Sequence, residues 1–560
     1  MTLRELLEKQ AAANADVVAL KWSEEKVWKT RTWREYLARV RDLAEGYGAV
    51  LKVQPHKENT AIILGNSPMW TECYLALAGT GTTVVPMDPK LRDDEVAYIL
   101  NDSEAVVVTT DKAHIKMMIN IAPKLPKLRA IVIVDGPIHA GQKIGKAFVF
   151  DFEDLRVSGG GAFYDAHKAK EEDIASIIYT SGTTGKPKGA MLTHKNFYSD
   201  IEGALEVFTS TAPEGKNFIT PKDSLFVVLP LFHAFSFTTN FVLSLLVGCP
   251  MYFCESLRTV GRDINLLKPS IIMSVPLLCE KLVEKLEEGI QKSKVARFLM
   301  AIGLRGPVMH MVKQKLGGNL RVMITGGAPC PAHVLKAFHR LHVAFFEGYG
   351  LTECAPVVSV TTYGNLLSGT IGKPCGGMQV RLADKNEAGV GELQIKGPNV
   401  MKGYFNKPKE TKETFTEDGW LMTGDLASVD ENGNISIRGR KKALIVNREG
   451  KNIYPEEVEN AIAKDASIQD VIVVGYTKDG VPGEYVGAIV YPNEEELVKE
   501  FGKLPSKEEI DALMQKRAQA KAAELADYKR VRKVVVWPEP LVRTSIGKVK
   551  RVAYKGKLDE

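Results

Sequence analysis

Short apolar runs alternate with helical patterns through the first part of the chain. The helical patterns lie near residues 70–77 and 94–100. The apolar runs lie at residues 61–64, 84–85, 106–108 and 131–134. Strands buried on both faces read as continuous apolar runs, whereas a helix repeats its apolar residues every 3.6 positions. The alternation therefore predicts a mostly parallel sheet with helices on its faces.

The alternation resumes in the middle of the chain and then changes character. Apolar runs at residues 225–229, 271–273 and 321–324 are each followed by helical sequence. Glycine-punctuated β runs follow from about residue 370, at 379–382, 392–395 and 433–437, and they predict an antiparallel β subdomain.

Beyond residue 440 the pattern predicts a smaller α+β region. Its strands are expected at 471–474 and 485–491, and a lysine-rich helix is expected over 511–528. We therefore expect an α/β fold with a large N-terminal domain over residues 1–440 and a small C-terminal domain over residues 441–560. The large domain would contain mostly parallel sheets flanked by helices, together with the antiparallel β subdomain.

The composition is that of a globular protein. The 560 residues are 45% hydrophobic, which is enough for one large core and a smaller one. The net charge of +6 does not indicate a nucleic-acid partner. Seven cysteines without zinc-like spacing, and a charged helix start at the N-terminus in place of a signal peptide, favour a reduced, cytoplasmic protein. The longest apolar region, 225–253, is interrupted by polar residues and prolines, so no spanning helix is predicted.

A run of hydroxyl, glycine and lysine residues follows an apolar strand predicted at 174–178. It reads Tyr-Thr-Ser-Gly-Thr-Thr-Gly-Lys-Pro-Lys-Gly over residues 179–189. Glycines let the backbone approach an anion, hydroxyls donate hydrogen bonds and lysines add positive charge. Pro187 follows Lys186, so the Gly-Lys-Ser/Thr start of a mononucleotide-binding helix is missing. The run indicates a phosphate-binding loop, with a hydrated surface loop as the alternative.

Five further clusters carry groups that suit a nucleotide. They are Thr-Gly-Gly-Ala-Pro at 325–329, Glu-Gly-Tyr-Gly-Leu-Thr-Glu at 347–353, Trp-Leu-Met-Thr-Gly-Asp at 420–425, Gly-Arg-Lys-Lys at 439–442 and Thr-Ser-Ile-Gly-Lys at 544–548. Small residues admit a flat ligand, an aromatic ring offers a stacking face, and a carboxylate at a turn accepts ribose hydroxyls. Taken singly, each cluster also has an ordinary structural explanation such as a cap, strand-end packing or an exposed lysine.

In order and spacing, these clusters resemble the adenylate-forming superfamily of acyl-CoA synthetases, luciferases and peptide-synthetase adenylation domains. The resemblance includes Pro-Leu-Phe-His at 230–233 and the segment 391–404, and it covers nearly the whole chain. It implies that ATP and Mg²⁺ activate a carboxylic acid to acyl-AMP with release of pyrophosphate. The acyl group then passes to the thiol of CoA, and the small C-terminal domain is mobile.

The resemblance also assigns residues to roles. The residues expected to act in catalysis are Lys548, Thr352, Glu353 and His233, and Glu353 is also the expected Mg²⁺ ligand. The residues expected to bind ATP or CoA are Thr180, Ser181, Gly182, Thr183, Thr184, Gly185, Lys186, Lys188, Gly327, Ala328, Pro329, Glu347, Gly348, Tyr349, Gly350, Asp425, Ile437, Arg440, Gly450 and Lys451.

Within these sets the implied chemistry is divided between the two domains. The loop at 179–189 would hold the β- and γ-phosphates, while Tyr349 would stack on adenine. Asp425 with Arg440 would bind the ribose. Lys548, on the small domain, would stabilise the carboxylate and α-phosphate during adenylation, and rotation about a hinge at Lys442 would then bring the pantetheine-binding residues into place.

The expected substrate is a medium- to long-chain fatty acid. His233 stands where amino-acid-activating members carry an aspartate, which disfavours amino acids. Phe235, Phe237, Phe241 and Leu243 would suit an acyl chain, although such residues are most often core residues. An acyl-carrier protein as the acceptor, and a non-catalytic nucleotide-binding scaffold, remain alternatives. The resemblance is greatest to long-chain fatty acyl-CoA ligases.

The stretch 281–315 is rich in lysine, arginine, methionine and leucine and predicts a basic surface helix. A solvated helix is the first interpretation, and a lid or a membrane-surface element is the alternative. A peripheral contact at the inner face of a membrane is therefore a further expectation. No hydrophobic anchor is evident beside the basic residues, however, and stable attachment normally requires two signals.

Overall fold

The computed structural model describes residues 1–136, 141–157, 161–180, 186–213, 218–364, 369–447, 451–477, 485–543 and 549–559. The chain divides into two compact units. Unit 1 comprises Met1–Gln379 and Ile395–Leu421, and unit 2 comprises Val380–Gln394 and Met422–Glu560. The domain boundary expected after residue 440 stays a prediction.

The strands of unit 1 form two large sheets. They are β1 Val18–Glu24, β2 Val27–Thr32, β3 Asn59–Ile63, β4 Thr83–Pro86, β5 Ala105–Thr110, β6 Ala130–Ile133, β7 Lys143–Ile144, β8 Ala147–Asp151, β9 Ile174–Thr180, β10 Lys188–Thr193, β11 Leu225–Val227, β12 Met251–Phe253, β13 Ile271–Ser274, β14 Val322–Gly326, β15 Ala344–Gly350, β16 Val357–Val360 and β17 Lys373–Pro374.

Both sheets are parallel in the middle and antiparallel at their edges. Among the described residues, one sheet has nine strands in the order β17-β16-β15-β14-β13-β11-β12-β1-β2. The other has eight strands in the order β10-β9-β4-β3-β5-β6-β8-β7. All six residues of β5 are buried, as expected of a strand covered by helices on both faces. The predicted mostly parallel sheets of the large domain are thus confirmed, and there are two of them among the described residues.

Helices cover these sheets, and short polar caps set where several of them begin. They are α1 Leu3–Ala13, α2 Trp33–Glu45, α3 Pro68–Ala78, α4 Asp93–Asp102, α5 Ile115–Ile121, α6 Ala162–Ala166, α7 His194–Thr211, α8 Ala234–Ser236, α9 Leu243–Val247, α10 Val260–Leu267, α11 Pro276–Lys292, α12 Lys294–Ala301, α13 Arg305–Lys315, α14 Ala332–Arg340 and α15 Pro408–Thr414. Thr2, Thr32 and Thr193 each complete a capping box.

Unit 2 contains most of the antiparallel subdomain and the smaller α+β region, although the strand-end residues Gln379, Ile395, Lys396 and Leu421 fall in unit 1. Its elements are β18 Gln379–Ala383, β19 Gly391–Lys396, β20 Leu421–Val429, β21 Ile435–Arg440, β22 Ile445–Val446, β23 Asn452–Ile453, α16 Pro455–Ile462, β24 Ile468–Tyr476, β25 Tyr485–Pro492, α17 Glu494–Phe501, α18 Lys507–Ala522 and β26 Lys533–Val536. Helices α16 and α18 pack on β24 and β26, and this core includes Val458, Val473 and Met514.

The helix predicted over 511–528 differs from the observed α18. Ser506 accepts a hydrogen bond from the Glu509 amide, and the Glu509 side chain caps in return, so the helix starts at Lys507. It ends at Ala522, and residues Asp527–Lys529 form a separate 3₁₀ turn. The α/β fold class is otherwise as predicted. In the described part of the chain, no helix is both long enough and apolar enough to cross a bilayer.

Candidate active site

The predicted phosphate-binding loop joins two antiparallel strands. Thr180 ends β9 and is opposite Lys188, the first residue of β10, so the loop closes a hairpin at the edge of the eight-stranded sheet. Thr180, Lys186 and Lys188 are described. The loop residues Ser181, Gly182, Thr183, Thr184 and Gly185 lie outside the described residues.

Each lysine of the loop lies against an aromatic ring. The Lys186 Nζ atom is 5.2 Å from the centroid of the Tyr98 ring, and the Lys188 Nζ atom is 5.1 Å from that of Tyr404. An aromatic face attracts an ammonium group without carrying an opposite net charge. Each ring therefore positions its lysine without neutralising the ammonium charge, which stays available to an anion.

Tyr404 also contacts Glu353, the predicted Mg²⁺ ligand. Its hydroxyl donates to Glu353 Oε1 at 2.8 Å, and burial, followed by the charge of Glu353, raises the pKa of the Tyr404 phenol. The Met401 amide donates to the Glu353 carbonyl at 2.8 Å. One side chain thus links the loop lysine Lys188 to the carboxylate.

Backbone pairing brings Tyr404 to this position. The Phe405 amide donates to the Gly189 carbonyl at 2.8 Å, and the Met191 amide donates to the Gly403 carbonyl at 2.9 Å. These bonds add the segment 402–405 to the outer side of β10. Lys188, Glu353 and Tyr404 therefore meet although they are far apart in sequence. We call these three residues the loop-end cluster.

A second network fixes the strand that leads into the loop. Asp102 Oδ2 accepts from the Tyr179 hydroxyl at 2.8 Å, and Asp102 Oδ1 pairs with Lys407 Nζ at 2.5 Å. Burial and the neighbouring Asp102 carboxylate raise the pKa of Tyr179. The Tyr98 hydroxyl donates to the Pro187 carbonyl at 3.1 Å, on the other side of the loop. Both ends of the loop are thereby anchored to α4.

Tyr404 and Asp102 were not among the residues predicted from the sequence. Tyr404 is the last residue of the segment 391–404 that contributed to the resemblance, so that segment was the available signal for it. Asp102 is not part of a motif. Its partners Tyr179 and Lys407 lie 77 and 305 positions away in the chain, so no local pattern indicates its role.

The predicted adenine-binding residues lie at the ends of β14 and β15. These strands are parallel neighbours, and Gly326 is opposite Gly348. Gly327, Ala328 and Pro329 follow β14 and are exposed, and the positive φ of Gly327 (+87°) favours glycine there. The side chains at this edge are small, so a flat group can approach the backbone.

Glu347 on β15 is buried and incompletely paired. Its Oε1 atom accepts from the Cys330 amide at 3.1 Å, whereas its Oε2 atom has no hydrogen-bond partner among the residues that the structure describes. Burial raises the pKa of Glu347 to about 7. The carboxyl group therefore ties the end of the 327–330 segment to β15. Tyr349 is partly exposed on the same strand, while Gly350 approaches the Pro356 carbonyl so closely that a Cβ atom would overlap with it.

Thr352 and Glu353 lie together in the 3₁₀ turn Thr352–Cys354 directly after β15. Both are partly buried. The strand therefore carries the Glu-Gly-Tyr-Gly part of the motif, and the turn carries the hydroxyl and the carboxylate. A single carboxylate beside bound phosphates is a donor set that suits Mg²⁺, which binds proteins through one or two carboxylates together with substrate phosphates.

His233 caps the short helix α8. Its Nδ1 atom accepts from the Phe235 amide at 3.3 Å. Asn66 holds the preceding segment, since its side chain accepts from the Leu231 amide at 2.8 Å and donates to the Leu229 carbonyl at 2.8 Å. His233 is partly exposed and so remains accessible to a substrate.

The suggestion that four apolar residues near His233 hold an acyl chain is corrected for three of them. Phe237, Phe241 and Leu243 are fully buried. Phe237 packs in an aromatic cluster with ring-centroid distances of 4.8 Å to Tyr74 and 4.6 Å to Phe197. These residues are core residues. Phe235, in α8, is partly exposed, and its ring lies near Gly326 at the end of β14.

In unit 2 the predicted ribose-binding residues are paired across two strands. Asp425 on β20 is opposite Arg440 on β21, and Asp425 Oδ1 lies 2.7 Å from Arg440 Nε. Arg440 Nη1 also donates to the Thr423 carbonyl at 3.4 Å. Ile437, opposite Ala427 in the same pair of strands, is partly buried. The arginine thus orients the buried carboxylate.

The remaining predicted residues of unit 2 all follow β21 in the chain. Lys442 is exposed in the 3₁₀ turn Lys441–Ala443. The Lys451 amide donates to Asn447 Oδ1 at 2.8 Å and closes the hairpin of β22 and β23. Gly450 and Lys548 lie outside the described residues.

Comparison with known proteins gives consistent matches. Residues 7–405 match the AMP-binding enzyme family, and residues 457–548 match the AMP-binding enzyme C-terminal domain. Long-chain-fatty-acid–CoA ligase 5 of Rattus norvegicus is 30% identical over 91% of this chain and 80% of its own length.

Two solved structures share the fold. The anthranilate CoA ligase AuaEII, in complex with anthranoyl-AMP, has a TM-score of 0.79 at 21% identity and covers 100% of this chain and 97% of its own. The O-succinylbenzoate coenzyme A synthetase of Bacillus subtilis, in complex with ATP and magnesium ion, has a TM-score of 0.73 at 24% identity and covers 98% of each chain.

Proposed function

Because this chain belongs to the AMP-binding enzyme family, we propose that it is an AMP-forming acid–thiol ligase. ATP and a carboxylic acid would give acyl-AMP and pyrophosphate, and CoA would then displace AMP to give the acyl thioester. The observation that carries this proposal is the loop-end cluster, in which Tyr404 joins a loop lysine to the carboxylate of Glu353.

The first half-reaction requires negative charge to be stabilised on departing pyrophosphate. Lys186 and Lys188, held over aromatic rings, and the hydroxyl of Thr180 are suited to the β- and γ-phosphates. We assign the part of the loop that lies outside the described residues, Ser181 to Gly185, to the same phosphates. A Mg²⁺ ion, held by Glu353 and the nucleotide, would supply further positive charge at these oxygens.

The nucleoside would be bound by groups from several segments. We assign Tyr349 to stacking on adenine, and Gly327, Ala328 and Pro329 to the lining beside it. Thr352 would donate to the α-phosphate, and Asp425, oriented by Arg440, would accept from the ribose hydroxyls. Glu347, Gly348, Gly350 and Ile437 are assigned to shaping this binding region.

The second half-reaction is assigned to a different arrangement of the C-terminal part. Lys548 would stabilise the negative charge that develops between the acid and the α-phosphate during adenylation. Rotation about Lys442 would then withdraw Lys548, and Gly450 with Lys451 would admit the pantetheine arm of CoA.

A medium- to long-chain fatty acid is our proposed substrate. The support is the name of the rat relative, long-chain-fatty-acid–CoA ligase 5, together with His233 in place of an amino-acid-binding aspartate. We include in the proposal a cytoplasmic location with peripheral contact at the inner face of a membrane. An acyl-carrier protein is the second candidate acceptor, since it presents the same pantetheine thiol as CoA.

The test is ATP-dependent pyrophosphate release across saturated acids of graded chain length, with CoA or a carrier protein as acceptor. We expect release with medium and long chains and thioester formation with CoA. Turnover only with carrier protein would overturn the assignment of CoA. Absence of release with every acid would support the non-catalytic scaffold, provided that wild-type protein still binds ATP.

A further inference from the structure

Residues 289–320 are rich in basic side chains, one of which, Lys292, pairs with the preceding Glu288 at 3.0 Å. This segment contains six lysine and arginine residues and no aspartate or glutamate, so its charge equals the net charge of the whole chain, +6. The six are Lys292, Lys294, Arg297, Arg305, Lys313 and Lys315. All except the partly buried Lys313 are exposed. We call residues 289–320 the basic segment.

The basic segment also exposes a group of large apolar side chains. Single exposed apolar residues are normal on a protein surface, but a contiguous group marks an interaction site. The exposed fractions are 60% for Val295, 64% for Phe298, 37% for Met300, 54% for Ile302, 48% for Leu304 and 41% for Met311. All six lie within 17 consecutive positions.

Helix α12 arranges these two kinds of side chain in adjacent stripes. Val295 and Phe298 of α12 and its C-cap residue Ile302 are spaced i, i+3 and i+7, which places them on one side of the helix. Lys294 and Arg297 form a second stripe beside the first. Ala296 is buried and marks the side on which α12 packs against α11 and α13. The apolar and basic stripes therefore both face outward.

This arrangement is that of a helix lying in the plane of a membrane surface. Apolar side chains enter the boundary of the acyl chains, while lysine and arginine side chains extend to anionic headgroups. The exposed apolar side chains are therefore a candidate for the hydrophobic anchor that was not evident in the sequence beside the basic residues. The two signals required for stable attachment are present on the same short segment.

We propose that the basic segment is a docking surface for an anionic lipid bilayer. A second copy of this chain fits it poorly, because a symmetric contact would oppose two sets of like charges without an acidic residue of the segment to pair them. A bilayer that contains anionic lipid offers an apolar layer beneath a negative surface, which complements both stripes. The docking surface rests on the membrane contact included in the proposed function and gives it a place on the molecule, but it does not depend on the proposed catalysis.

The experiment is flotation of the full-length chain with lipid vesicles in the absence of ATP. One vesicle contains phosphatidylcholine alone, and the other contains seven parts phosphatidylcholine and three parts phosphatidylglycerol. We expect binding to the anionic vesicle, weakened at high salt because surface charges are screened. Phe298→Glu is expected to weaken binding by at least about tenfold, since an inserted ring is replaced by a charge.

A matched control is Phe501→Glu, which introduces the same change at another exposed phenylalanine (48%) on α17 in unit 2. It is expected to bind as the wild type does. Since Phe298 is already largely exposed, Phe298→Glu is expected to keep the wild-type circular dichroism spectrum and its pyrophosphate release with a water-soluble acid.

Three results would each overturn the proposal. They are wild-type protein that does not float with anionic vesicles, Phe298→Glu protein that floats as well as the wild type, and a wild-type dimer that Phe298→Glu dissociates without any effect on flotation. Because flotation is scored without substrate, loss of the proposed ligase function would leave the result interpretable.

Discussion

The change Tyr404→Phe tests the loop-end cluster directly. It deletes the hydroxyl that donates to Glu353 Oε1 at 2.8 Å and keeps the ring that lies over Lys188. Any loss of activity therefore reports on the orientation of Glu353 rather than on the position of the lysine.

The size of the effect follows from the kind of hydrogen bond that is lost. A hydrogen bond to a charged group contributes about 1.5–3 kcal/mol. Since each 1.36 kcal/mol corresponds to a factor of ten, kcat/KM for adenylation is expected to fall about 10- to 100-fold if the contact acts in the transition state.

The assay is pyrophosphate release over a titration of Mg²⁺ at saturating acid. We expect the half-maximal Mg²⁺ concentration to rise in Tyr404→Phe, because Glu353 is our proposed ligand. Tyr198→Phe is the matched control, since the Tyr198 hydroxyl donates to Glu202 at the same distance, 2.8 Å, on the exposed side of α7. The proposed role of Tyr404 is refuted if Tyr404→Phe keeps the wild-type kcat/KM and Mg²⁺ dependence. It is also refuted if Tyr198→Phe loses as much kcat/KM as Tyr404→Phe does.

Three further variants test other parts of the site. Lys548→Ala is expected to abolish adenylation while leaving thioester formation from supplied acyl-AMP nearly intact, and equal loss of both half-reactions would contradict domain alternation. Asp425→Asn is expected to raise the KM for ATP about tenfold, because it removes the carboxylate that Arg440 orients. Arg438→Gln, which changes an arginine on the same strand as Arg440, should leave that KM unchanged. Burial raises the pKa of Glu347 from 4.5 to about 7, so the native state holds a proton that the unfolded chain releases between these values. The free energy of unfolding should therefore fall by up to about 3 kcal/mol from pH 4.5 to 7, and urea unfolding at pH 5 and 7.5 should show a weaker pH dependence in Glu347→Gln. The same dependence in both proteins would exclude Glu347 as its source.

The sequence predicted the parts of the fold that are governed by local apolar pattern. Strands such as β5 are buried on both faces and read as continuous apolar runs. The hairpin of β1 and β2 was missed because β2 is an edge strand whose exposed residues interrupt that pattern. The start of α18 was misplaced because the capping box at Ser506, rather than the lysine-rich pattern, determines it.

The candidate site was predictable as a set of motifs but not as a geometry. The family resemblance assigned Lys188 and Glu353 to the site separately. Their connection through Tyr404 depends on pairing of the segment 402–405 with β10, which is a long-range contact that no local pattern encodes. The same holds for Asp102, whose partners come from distant parts of the chain.

The position of Tyr404 between Lys188 and Glu353 has a consequence for how these residues can change in the course of evolution. The Tyr404 ring lies under the Lys188 ammonium group, and the Tyr404 hydroxyl donates to the Glu353 carboxylate. A substitution at any one of the three residues therefore alters the surroundings of another. The effects of combined substitutions should therefore not add. Related ligases are expected to retain or replace the three residues as a set, and transplanting the loop alone into another member should fail unless its tyrosine accompanies it.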